Sequence, residues 1–102
     1  MAALTKRQIL AQRDEIVRLA RAHGAADIRL FGSVARDDAN ETSDVDFLVT
    51  PAAETPPFFP GGLIAALEDL LGRTVQITLN SPRMSERLRR TIERDQVALC
   101  GD

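Results

Sequence analysis

Apolar residues in the first part of the chain recur at helical spacing. Ile9, Ile16, Leu19 and Ala20 share a stripe, with Leu10 and Val17 beside it, which predicts an amphipathic helix. Thr5 is placed to cap it, and Gln8, three residues on, completes a capping box. Gly24 suits the position just past its end. The pattern then shortens. Residues 27–31 read as a strand, residues 37–43 as a polar turn, and residues 45–50 as a second strand ended by Pro51. Residues 51–62 hold four prolines and two glycines, which predicts a loop without regular structure. Leu63, Leu67, Leu70 and Leu71, with Ile64, form the apolar face of another helix, closed by Gly72. Residues 75–79 predict a third strand. Ser81 or Ser85 caps a last helix carrying Met84, Leu88 and Ile92, and residues 97–99 form a final short strand. Helices interleaved with few strands imply an α/β (α+β) architecture, a small mixed sheet with helices packed against it.

The 102 residues amount to one domain, 1–102, with a single modest core. One cysteine, Cys100, excludes an internal disulfide framework and a Cys-rich zinc site. Met1-Ala2-Ala3-Leu4 runs straight into charged residues and no long apolar run follows. Neither a signal peptide nor a membrane span is expected, and the expected address is the cytoplasm. A net charge of −2 gives no reason to expect direct nucleic-acid binding.

Charge is unevenly placed. Between Asp37 and Glu54 lie six acids and no Lys or Arg, while Arg83, Arg87, Arg89, Arg90 and Arg94 face only Glu86 and Glu93. Most of these residues read as solvated faces, the arginines with a docking role. Asp44 and Asp46 differ. On a strand, residues i and i+2 share a face roughly 7 Å apart. Two carboxylates there repel unless a cation lies between them, and hard oxygen ligands select Mg²⁺ or Mn²⁺. The plain alternative is solvent exposure at a strand's start. Leu48 continues the same face, which turns it toward a core or cleft. Gly32-Ser33 ends the preceding strand. Glycine there lets the backbone approach a ligand, and Ser33 can donate to phosphate oxygens; the alternative is an ordinary turn.

Taken together, Leu30-Phe31-Gly32-Ser33, then Arg36, then Ser43-Asp44-Val45-Asp46 resemble the signature of the DNA polymerase beta nucleotidyltransferase superfamily. The resemblance is to its minimal branch, many of whose members are encoded beside a HEPN toxin that they counteract as antitoxins. It covers essentially the whole chain and implies the polymerase-beta-type nucleotidyltransferase fold. It implies that Gly32 and Ser33 hold the triphosphate of a nucleotide and that Asp44 and Asp46 bind Mg²⁺. It also implies transfer of a nucleoside monophosphate, AMP from ATP, to a tyrosine hydroxyl of a cognate HEPN ribonuclease toxin. Arg36 is either a phosphate contact or an ion-pair partner of Asp44 or Asp46.

One position departs from the pattern. The resemblance implies a third carboxylate on the next strand, and in Gly72-Arg73-Thr74-Val75-Gln76-Ile77 an amide, Gln76, takes its place. An amide has no useful basicity. The chain is then slow, borrows a base from its partner, or neutralises its toxin by binding alone. A small-molecule nucleotidyltransferase is a further alternative, against which stands the lack of an additional helical domain. Glu68 and Asp69 are not expected to reach the site. His23, the only histidine, is expected at a helix end with no catalytic part. Phe58 and Phe59 either anchor their loop to the core or present an apolar knob; the core is the favoured reading.

Overall fold

The computed structural model describes residues 4–100; residues 1–3 and 101–102, which belong to the readings of the N-terminus and of a domain over 1–102, lie outside the described residues. The predicted leading helix is two, α1 (Lys6–Ala11) and α2 (Arg13–Ala22). No proline or glycine stands at the break. The Gln12 N–H bonds back to the Ile9 carbonyl at 3.0 Å, a tighter turn than the α-helix allows and enough to redirect the chain. The Thr5–Gln8 capping box is present. Gly24, at φ +98° beyond the C-cap His23, closes α2.

The remaining elements are β1 (Ala25–Phe31), the single turn α3 (Gly32–Ala35), β2 (Val45–Pro51), α4 (Gly61–Leu71), β3 (Val75–Leu79), α5 (Glu86–Asp95) and β4 (Val97–Ala98). Ser85, not Ser81, caps α5 by accepting from the Leu88 N–H. Met84 therefore precedes the helix. The strands form one mixed sheet in the order β3-β2-β1-β4. β1 runs antiparallel to β2 and β4, and β3 runs parallel to β2 after the crossover through α4.

Alternation along the strands divides the sheet into two unlike faces. Ile28, Leu30, Val45, Phe47, Val49 and Val75 point to the side on which Ile9, Ile16 and Ala20 of α1 and α2 and Leu63 and Leu67 of α4 are buried. On the other side α5 supplies a small apolar contact, Ile92 against Phe31 and Leu48 with Met84 beside it. The rest of that face is polar, which frees it for chemistry. Among residues 51–62 the two phenylalanines part company. Phe59 packs on the main core, whereas Phe58 is 94 % exposed at φ +63°, contrary to the core reading for that residue.

Candidate active site

Asp46, Phe31 and Gln76 stand in register across three neighbouring strands, so their side chains leave the same face. Asp44 lies just before β2. The Gln76 amide Nε2 donates to its Oδ2 at 3.1 Å. The residues singled out in sequence at 44, 46 and 76 thus converge. Gln76 stands where a third carboxylate would, and among the described residues no three His, Cys, Asp or Glu side chains gather into a metal cluster.

Gly32 closes the other side. Its φ is +80°, and a Cβ added to it would stand 2.5 Å from Asp46 Oδ2. The first turn of α3 therefore lies directly against the Asp46 carboxylate. Ser33, next along, is half-buried, and its hydroxyl has no hydrogen-bond partner among the described residues. Burial, then the charge of Asp44, raises the Asp46 pKa, and Arg36 partly offsets them. A carboxyl so placed is one a divalent cation would relieve. Two convergent carboxylates are a pair of hard-oxygen donors that fits Mg²⁺.

Arg36 is an ion-pair residue, but not of Asp44 or Asp46. Its Nε donates to Asp38 at 3.0 Å and its Nη1 to Asp95 at 2.7 Å. Asp95 is not among the residues singled out from the sequence. Its side chain is 3 % exposed, and its other oxygen accepts from Arg94 Nε at 3.1 Å. The bonds from Arg94 and Arg36 hold its carboxyl below the usual range against the opposing effect of burial.

The remaining candidates fall outside the site. Glu68 accepts from the Val75 N–H at 3.0 Å and fixes the start of β3. His23 caps α2 at the opposite end of β1, its ring against Gly62. Of the α5 arginines, Arg89 donates to the Ser81 carbonyl and Arg94 to Asp95. A cavity of about 320 Å³ lies further along the polar face, lined by Leu48, Ile92, Arg29 and Arg89 among others. It includes neither Asp44 nor Asp46.

A glycine turn against an Asp-x-Asp strand, on a mixed sheet backed by helices, is the arrangement of a nucleotidyltransferase. A family model for the nucleotidyltransferase domain matches residues 11–98, and the chain belongs to that family. The structure of a proposed minimal nucleotidyltransferase is 35 % identical, with TM-score 0.72, covering 95 % of this chain and 98 % of that one. A toxin–antitoxin crystal structure with AMP-PNP matches with TM-score 0.71 at 23 % identity, over 88 % of this chain and 73 % of that one. A re-refined structure of a tri-AMPylated Shewanella oneidensis HEPN toxin in complex with MNT antitoxin matches with TM-score 0.65 at 21 % identity, over 90 % and 71 % of the two chains. These last two show a shared fold. No curated protein matches the chain. Among the described residues, no helix is long and apolar enough to cross a membrane.

Proposed function

We propose that the chain is a single minimal nucleotidyltransferase domain that transfers AMP from ATP, with Mg²⁺, to a tyrosine hydroxyl of a HEPN-type toxin, and so acts as its antitoxin. The observation that carries this reading is the contact of the Gly32 turn with Asp46, which puts the Gly32-Ser33 turn beside a carboxylate pair. In the reaction the acceptor oxygen bonds to the α-phosphorus, the bond to the bridging oxygen of the β-phosphate breaks, pyrophosphate departs, and the hydroxyl proton passes to water or to a base on the partner. Gly32, Ser33 and Arg36 hold and orient the triphosphate. Asp44 and Asp46 would hold Mg²⁺, which would supply charge neutralisation for the transfer.

Gln76 supports a second reading. Its amide bound to Asp44 cannot take the acceptor's proton, and the loss of general-base help costs about 10²–10⁴ in rate. A protein that neutralises its toxin by occlusion alone would tolerate this. The two readings separate when the chain is incubated with a HEPN-type toxin that it neutralises, Mg²⁺ and ATP labelled at the α-phosphate. Label on a toxin tyrosine supports transfer. Toxin neutralised with no label attached supports occlusion.

A further inference from the structure

Asp95 is the one buried charged residue among the described residues. It is also the last residue of α5, where the helix dipole disfavours a negative charge. Burial and position both count against a carboxylate here, so its two arginine partners must offset them. They differ in kind. Arg94 is 69 % exposed and sits on Asp95's own helix, one residue before it. Arg36 comes from the end of α3, beside Asp46, and is bound at the shorter distance of 2.7 Å.

A guanidinium carries five N–H donors. Asp38 takes the one on Nε and Asp95 one on Nη1, leaving three without a protein acceptor among the described residues. Asp38 is exposed and only two residues away from Arg36 in sequence, so it moves with the turn that carries Arg36. Asp95 arrives from a different element and is buried, with its second oxygen held by Arg94. It is therefore the group that fixes the guanidinium relative to the sheet.

We propose that Asp95 is a positioning residue, holding the Arg36 guanidinium in a preset orientation so that its remaining donors meet the triphosphate. The proposal rests on the reading of Arg36 as a phosphate contact. A group held before the ligand arrives loses little freedom on binding. Carboxylates that hold two of its N–H groups leave the remaining donors free for a phosphate.

The test titrates ATP and AMP, each with Mg²⁺, into wild type, Asp95→Asn, Arg36→Ala and the double variant. Asp95→Asn keeps the side chain's shape and removes its charge. It should weaken ATP about tenfold, on the scale of a charge-assisted hydrogen bond, and leave AMP affinity unchanged. The double variant should bind ATP no more weakly than Arg36→Ala alone. If Asp95→Asn fails to fold, Asp95→Glu keeps the anion with altered reach and should show a smaller loss confined to ATP. Equal losses for ATP and AMP, or additive losses in the double variant, would make Asp95 a mere staple between α5 and α3 and overturn the proposal. If Arg36→Ala weakens ATP while Asp95→Asn does not, the role of Asp95 alone falls. If Arg36→Ala leaves ATP affinity unchanged, the phosphate role of Arg36 falls, and the role of Asp95 with it.

Discussion

A Cβ on Gly32 would stand 2.5 Å from Oδ2 of Asp46, which ties the turn after β1 to the second acid of the Asp-x-Asp strand. Gly32→Ala therefore carries two penalties. A left-handed backbone costs a non-glycine residue about 1–2 kcal/mol, and the methyl group must displace the carboxylate. A lowered melting temperature together with weakened nucleotide binding is expected. A variant of wild-type stability that binds ATP normally would mean that the turn and the acid are not coupled.

Ser33→Ala should weaken ATP binding by about 1–2 kcal/mol, the scale of one hydrogen bond to a charged acceptor. The hydroxyl has no protein partner among the described residues, so its removal should leave melting temperature almost unchanged. Calorimetry and a thermal melt on the same preparation check both halves.

Asp46 and Asp95 should respond to pH in opposite directions. The folded Asp46 carboxyl has a raised pKa, through burial and then the Asp44 charge. It holds its proton more tightly folded than unfolded, so stability falls as pH rises from the usual carboxylate range through the raised value. Asp46→Asn should raise the melting temperature of the metal-free protein at neutral pH, a gain that fades below that window. Asp95 is shifted down by Arg94 and Arg36. Its stabilisation is present above the usual range and is lost as pH falls through the lowered value. Asp95→Asn should therefore lower the neutral-pH melting temperature, with the difference closing in acid. Melting curves in EDTA across the acid range decide it, and parallel profiles for the two variants would refute the assignment.

Gln76→Asp should increase nucleotidyl transfer by at least about tenfold, within the range of general-base catalysis. The register pairing of Gln76 with Asp46 also brings a third negative charge to a crowded site, so metal-free stability should drop. Asp is one methylene shorter than Gln, and Gln76→Glu tests reach in parallel. If both variants are as inactive as wild type with the toxin present, the account by occlusion gains.

Much of this arrangement was legible in the chain because it is local. Strand alternation put Asp44, Asp46 and Leu48 on one face, and the resemblance of the run from Gly72 to Ile77 to the family pattern put an amide, Gln76, where it implies a third carboxylate. What could not be read depends on distant contacts. Asp95 is 59 residues from Arg36 and ends a helix rich in charge, where an acid looks like another solvated residue. Sequence proximity therefore points Arg36 to Asp44 or Asp46 as its ion-pair partner. A signal existed: an acid at a helix C-terminus opposes the dipole. The break at Gln12 has no proline or glycine to announce it. Phe58 and Phe59 are alike in composition and separate only when the loop's path turns one inward.

In the proposed function Asp44 and Asp46 bind the nucleotide through a divalent cation. Titrating ATP into wild type and into the Asp44→Ala, Asp46→Ala double variant, with Mg²⁺ and again in EDTA, tests it most directly. Wild type should bind at least about tenfold more tightly with Mg²⁺, the scale of a lost charge-assisted contact, and the double variant should show no such gain while remaining folded. Equal affinity for wild type in both conditions, or a Mg²⁺ gain that survives removal of both acids, would contradict the account.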